Sequence, residues 1–176
     1  IEQLEAHTMK RAYVAFVEGR LVRAEGTWRN WVAGDEDDLR QRVVSAAQAA
    51  HCSATAREAI THYRILAEYP LPDGKFASKL QLKLETGRKH QIRLQAAHAG
   101  VPLIGDRTYN LRYRPGSTSV KFLLFSRQAL HAETLTLQHP GRPGDPMTFT
   151  AQLPKDLRQL EANLYAASRG AQAAKP

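Results

Sequence analysis

The sequence predicts an α+β fold, a mixed or mainly antiparallel sheet flanked by few helices. Strand-like runs outnumber helical ones along the chain. One run, "FASKLQLKLE", alternates strictly: Phe76, Ser78, Leu80, Leu82 and Leu84 share one face, and Lys79, Gln81 and Lys83 take the other. That period of two is the mark of a half-buried strand. Turn residues also separate the runs at short spacing, as Pro72-Asp73-Gly74 does, which folds neighbouring strands back antiparallel.

Taken in order, "IEQLEAHTMKR" reads as the end of a helix. "AYVAFVEGRLVRAEGTW" follows as two short strands around a turn at Glu18-Gly19, with Tyr13, Ala15 and Val17 on one face. "GDEDDLRQRVVSAAQAAH" opens with acids, which offset the positive end of a helix dipole, and predicts a short helix or a surface loop. "AITHYRILAEY" is a strand antiparallel to "FASKLQLKLE". A turn at Gly87 leads into a helix from about Lys89 to Ala99, with Gly100 as its left-handed cap and Pro102 preventing continuation. "KFLLFS", "ETLTLQH" and "MTFTAQL" are further strands, the last two separated by the loop "PGRPGDP". A helix from about Lys155 to Tyr165 closes the domain, residues 1–165, and residues 166–176 form a flexible tail.

At 176 residues and 43% hydrophobic content, one domain with a real core is expected. No apolar run is long enough for a membrane helix, so no membrane partner is expected, and the cytoplasm is the default location. The single cysteine, Cys52, excludes an intrachain disulfide and a Cys-rich zinc site within this chain. The acids Asp35 to Asp38 read as a solvated face, because adjacent residues do not all aim at one ion. Net charge is +8, and the segment from Lys79 to His131 accounts for all of it, with ten Lys/Arg against two acids. Clustered positive charge points to a polyanion such as RNA or DNA.

The densest chemistry lies in "LETGRKHQIRLQAAHAGVPLIGDRTYN", Leu84 to Asn110. Arg88 in the turn and Arg93 in the first turns of the helix both point toward one end of the sheet. Their planar guanidinium groups suit phosphate or carboxylate, and free amides at a helix start add to that attraction. Alternatively, Arg93 pairs with a core acid. His90 and Gln91 bond backbone or RNA. His90 and His98 lie eight residues apart, not one helical turn, so no metal site is expected. Asp106, in "GDRTY", is either catalytic or a turn acid that accepts its neighbours' amides. Tyr13, on a strand, is either core or a polar handle at a site. These residues alone reach a basic nucleic-acid-binding domain with an arginine-rich pocket.

The same block closely resembles the third conserved block of the RluA-type pseudouridine synthases, which isomerise uridine in structured RNA. "KRAYVAFVEGRL" is similar to that family's segment with a basic residue, a spacer and a tyrosine. "REAITHYRIL" resembles its Ala-x-Thr-x-Tyr strand, and "RQALHAETLTLQHPGRPGDPMTFTAQLPKDL" its closing region. The resemblance runs in order from about residue 10 to 160. It implies that Tyr13 and Arg93 are catalytic: Tyr13 stacks on the target base and assists proton transfer, and Arg93 pairs with a catalytic aspartate. It implies that Arg88, Lys89, His90, Gln91 and Arg107 face RNA, a structured rRNA or tRNA. It implies no metal, no organic cofactor and a monomer, with the target nucleotide flipped out of its stack into a closed pocket.

The family's nucleophile is an aspartate in an Arg-Leu-Asp-x-x-Thr-Ser-Gly block upstream of the tyrosine. No Arg-Leu-Asp or Thr-Ser-Gly occurs in these 176 residues. Asp35, Asp37, Asp38, Asp73, Asp106, Asp145 and Asp156 stand in other contexts. The expectation is therefore the C-terminal portion of a catalytic domain, inactive by itself and completed by polypeptide upstream. The alternative is a non-catalytic RNA-binding module of the same fold.

Overall fold

Residues Phe76–Leu84 form the strand that their alternation predicts, and the rest of the fold is built around it. The computed structural model describes residues 9–34, 41–51, 56–111, 125–142 and 144–173. Among these, the strands are β1 (Lys10–Glu18), β2 (Glu25–Ala33), β3 (Arg42–Val44), β4 (Arg57–Pro70), β5 (Phe76–Leu84), β6 (Leu130–Gln138) and β7 (Pro146–Thr150). The helices are α1 (Ala46–His51), α2 (Gln91–His98) and α3 (Lys155–Ala173). The strands make one seven-stranded sheet in the order β3-β2-β4-β5-β1-β6-β7, and every pairing in it is antiparallel. This is the expected α+β class.

Each face of the sheet holds its own core. Leu80 and Leu82, both fully buried, join Ala15, Val17, Trp28 and Leu103 beneath Ile92 and Ala96 of α2. On the opposite face, Phe16, Tyr69 and Ala77 meet Leu157, Leu160 and Leu164 of α3. Strand β1 is paired on both edges by β5 and β6, and its two faces meet the two cores, so Val14, Ala15, Phe16 and Val17 are all buried. Each large side chain removed from water contributes about 1.5–3 kcal/mol.

Helix α2 ends as its sequence predicts. Gly100 takes φ 78, its N–H donates to the Ala97 carbonyl, and the Val101 N–H donates to the Ala96 carbonyl. These are the two bonds of a Schellman cap, which a left-handed glycine makes without steric cost.

Several elements differ from the sequence reading. Lys10 and Arg11 belong to β1 rather than to a helix end. β1 and β2 flank the Glu18-Gly19 turn but do not pair with each other. Residues 42–44 are a strand, not helix: Val43 and Val44 pair with Val32 and Trp31 at the sheet edge, where β-branched side chains pack well. Helix starts only at Ala46, behind a capping box in which the Gln48 N–H donates to Ser45 Oγ and the Ser45 N–H to Gln48 Oε1. Helix α3 continues to Ala173 instead of ending near Tyr165; its Ala-rich second half favours helix, and Ser168 is buried. Residues 1–8, the acids Asp35 to Asp38, Cys52, Arg112, Arg114 and the first four residues of "KFLLFS" lie outside the described residues.

Candidate active site

The site is organised by the start of α2. His90, the residue before the helix, takes φ 56 and ψ 20, and it is the one described non-glycine residue with positive φ. A left-handed conformation in a non-glycine residue costs on the order of 1–3 kcal/mol and persists where the surroundings enforce it. The enforcement comes from Gln91. Its Oε1 accepts from the Arg88 N–H (2.9 Å) and from Thr86 Oγ1 (2.9 Å), while its Nε2 donates to the Ile60 carbonyl (3.0 Å) and to Thr61 Oγ1 (2.9 Å). One turn later, Gln95 Oε1 accepts from Thr61 Oγ1 at 2.6 Å. Gln95 Nε2 reaches the Ala59 carbonyl and Asn30 Oδ1, each at 3.0 Å. Residues four apart on a helix share a face, and these two glutamines pin the loop and helix to β4.

Arg93 projects from a different side. Its Nε and Nη2 donate to Asp106 at 2.7 and 2.8 Å, a two-pronged pair in which the carboxylate is fully buried. Asp106 Oδ1 also accepts the N–H groups of Thr108 (2.9 Å) and Tyr109 (3.1 Å). Burial pushes the carboxyl up, but the Arg93 hydrogen bond, the two amides and the Arg93 charge outweigh it and hold Asp106 below the ordinary carboxylate range. The Arg93 guanidinium stands 5.1 Å from the Tyr109 ring centre. The Tyr109 hydroxyl accepts from the Gln41 N–H (2.8 Å) and contacts His90 Nδ1 (3.1 Å).

Between α2 and β1 lies a cavity of about 230 Å³, lined by Tyr13, Arg93, Arg88, His90, Gly87 and Arg11 among others. Tyr13 faces it from the same side of β1 as Ala15 and Val17, and the pairing with β6 bulges beside it. Ala12 pairs with Thr134 and Tyr13 with Ala132, leaving Glu133 as an extra residue on β6 beside the tyrosine. Tyr13 also lines a neighbouring, more apolar cleft of about 390 Å³ that runs past Met9, Leu135 and Phe149. Arg11 also lines both, and its Nε is buried without a hydrogen-bond partner among the described residues. A Cβ on Gly87 would sit 2.5 Å from Arg11 Nη2, so the bare glycine is what lets the guanidinium lie against that turn.

The structure brings Tyr13, Arg88, His90 and Arg93 to one cavity. Lys89 and Arg107 are exposed nearby in sequence, though they are not part of its lining. Gln91 departs from its expected RNA-facing role: the residue is 3% exposed and both ends of its amide are bonded inside the protein. Arg88 is partly committed as well, with Nε donating to the Glu58 carbonyl at 2.9 Å. Arg93 and Asp106, each singled out in the sequence, pair with each other, and Asp106 also accepts its neighbours' amides as a turn acid does. Sequence reasoning missed Gln95 and Gln41 and gave Tyr109, the aromatic of "GDRTY", no role of its own. The Gln91/Gln95 spacing was the available signal for the first; nothing local announced Gln41. Groups of acids, histidines and cysteines able to hold a metal are absent among the described residues.

Comparison with known proteins identifies the family and the fold. Residues 1–98 match the family model described as RNA pseudouridylate synthase. The chain is 36% identical over 169 residues to the ribosomal large subunit pseudouridine synthase D of Xylella fastidiosa, covering 93% of this chain and 46% of that protein. To the protein of the same name from Yersinia pestis it is 38% identical over 168 residues, covering 91% and 46%. To an uncharacterized RNA pseudouridine synthase, YlyB, of Bacillus subtilis it is 32% identical, covering 93% and 47%. The chain thus spans about half the length of these relatives. In fold, it matches human RNA pseudouridylate synthase domain containing 4 with a TM-score of 0.68 at 20% identity, over 93% of this chain and 65% of that one. The corresponding domain containing 1 protein gives 0.63 at 20% identity, over 92% and 69%. With a family model matched over more than half its length and the blocks around Tyr13 and Arg93 in order, the chain belongs to the RluA-type RNA pseudouridine synthase family.

Proposed function

We propose that this chain is the part of an RNA pseudouridine synthase that supplies the base pocket and much of the RNA-facing surface. The observation that carries the reading is one cavity lined by both Tyr13 and Arg93, from widely separated parts of the sequence. In this reading a uridine flipped from ribosomal or transfer RNA enters the cavity and its ring lies against Tyr13, whose hydroxyl assists proton transfer at C5. Arg93, anchored by Asp106 through Nε and Nη2, offers its remaining Nη1 edge to a nucleophilic aspartate carried by polypeptide outside residues 1–176. That aspartate starts the exchange in which the C1′–N1 bond breaks and a C1′–C5 bond forms. Arg88, Lys89 and Arg107 contact phosphate. The protein works in the cytoplasm as a monomer and needs neither metal nor organic cofactor. Among the described residues, no helix is long and apolar enough to cross a membrane.

A second reading, a non-catalytic RNA-binding module, draws on the cavity's own composition: among the described residues its lining holds no acid, and Asp106 is fully buried in its pair with Arg93. Tritium release from 5-tritiated uridine in bulk ribosomal and transfer RNA separates the two. The catalytic reading expects release by a version extended upstream to its natural start and none by residues 1–176 alone. Release by neither, with salt-sensitive RNA binding retained, selects the binding module.

A further inference from the structure

We infer that His90 is a tautomer-locked hydrogen-bond donor, presenting Nε2–H to an acceptor oxygen of the bound RNA. This rests on the RNA reading above and adds to it a residue whose role is set by a relay of hydrogen bonds. The relay starts in the backbone. The Gln41 N–H can only donate, and it donates to the Tyr109 hydroxyl oxygen at 2.8 Å. The hydroxyl's one other partner among the described residues is the neighbouring ring nitrogen, His90 Nδ1, at 3.1 Å, and we assign it as the acceptor of the hydroxyl proton. An Nδ1 that accepts carries no proton, so in the neutral ring the proton sits on Nε2.

Three further features fit. His90 lines the cavity of Tyr13 and Arg93, and Nε2 makes no hydrogen bond among the described residues. Burial, then the charges of Arg93 and Lys89, holds the imidazole below its ordinary pKa despite the opposing Asp106, which favours the neutral ring. The left-handed backbone at His90 and the edge-on packing of its ring against Tyr109, centres 5.7 Å apart, fix the ring's direction. A neutral N–H donor in a pocket whose lining also includes Arg11, Arg88 and Arg93 recognises an oxygen without adding charge. That oxygen is a phosphodiester oxygen or a uracil carbonyl.

The first test needs no RNA. Nitrogen NMR of the 176-residue protein labelled at histidine, at pH 7, is expected to show His90 neutral and protonated on Nε2. Tyr109→Phe, which removes only the hydroxyl, is expected to turn this into a mixture of tautomers. An Nδ1-protonated ring, an imidazolium, or a spectrum that Tyr109→Phe leaves unchanged overturns the inference.

The second test is binding of a uridine-bearing RNA hairpin. His90→Ala is expected to weaken binding about tenfold at fixed salt. His90→Asn, which keeps an N–H donor and tolerates the left-handed backbone, recovers most of the loss. The salt slope stays unchanged, because an uncharged donor releases no counterion. Equal affinity in all three proteins, or a loss accompanied by a shallower slope, overturns the inference. Failure of the unsubstituted protein to bind defeats the RNA reading itself, a result distinct from any tautomer outcome. In the labelled protein, movement of the Nε2 resonance by inorganic phosphate assigns a phosphodiester oxygen, and movement by uridine a base carbonyl. A resonance that the RNA hairpin leaves in place overturns the proposal.

Discussion

Against β4, helix α2 sets Gln91 and Gln95 into a layer where each amide bonds at both ends, to Thr61, Thr86 and the carbonyls of Ile60 and Ala59. Toward the cavity, the same helix start shows His90 in a left-handed conformation and, beside it, Arg11, and among the described residues neither His90 Nε2 nor the buried Arg11 Nε has a hydrogen-bond partner. One region is closed and the other open, although both are built of polar side chains a few residues apart. Buried polar groups are nearly always satisfied, so a satisfied layer reads as scaffold and an unsatisfied one as a place awaiting a ligand. Polarity at a helix start does not itself mark a binding site; incomplete hydrogen bonding does.

Asp106 is the strongest joint between the two regions, and breaking it has the largest expected effect. Asp106→Ala leaves the Arg93 guanidinium, 14% exposed, without its carboxylate. A destabilisation of about 3–5 kcal/mol is expected, read as a lowered urea midpoint. The pair also sets an acid limit. The folded carboxyl lies below the unfolded value of about 3.9, because the Arg93 hydrogen bond and the Thr108 and Tyr109 amides outweigh burial. Its contribution is therefore fully present above that unfolded value and is lost as pH falls through the folded one. An Asp106→Asn protein followed by urea unfolding from pH 6 down to pH 2 (roughly 6 to 2, spanning the carboxylate range) should show a flatter acid limb.

Next in size is Gln95→Leu, which strips partners from Thr61, Asn30 and two carbonyls of the closed layer. About 1–3 kcal/mol is expected, seen as a lower Tm, with RNA affinity measured well below that Tm unchanged. Lys89→Ala and Arg107→Ala, on the exposed side, should do the reverse. Each is expected to reduce the slope of log affinity against log salt by about 1, while stability stays within about 0.5 kcal/mol. If Gln95→Leu alters the salt slope, or Lys89→Ala lowers Tm sharply, the division into closed and open regions fails.

How much of this the sequence revealed follows the range of each interaction. β5 was legible because its alternation is local, and the α2 cap because a left-handed glycine followed by proline is a local signature. The strand at 42–44 was not, since two valines and their neighbours fit a helix until the edge of β2 is available to pair with them. Arg93 and Asp106 each stood out, but their union depends on the turn after α2 bringing the acid back against the helix. The role of Gln91 was misread as outward-facing because its partners Ile60 and Thr61 lie on a strand far upstream. The family blocks contain Tyr109 without giving it a role and leave out Gln41; the link from Gln41 through Tyr109 to His90 exists only in three dimensions.

The central claim is that the cavity at Tyr13 receives the uridine and that its hydroxyl takes part in the chemistry. It is tested most directly by tritium release from 5-tritiated uridine in RNA, comparing Tyr13 with Tyr13→Phe in the polypeptide extended upstream to its natural start. Phenylalanine keeps the ring and its stacking but removes the hydroxyl. A loss of at least about 100-fold in rate, with unchanged Tm and RNA affinity, is the predicted result. Release at the unsubstituted rate would contradict the account and return Tyr13 to the core.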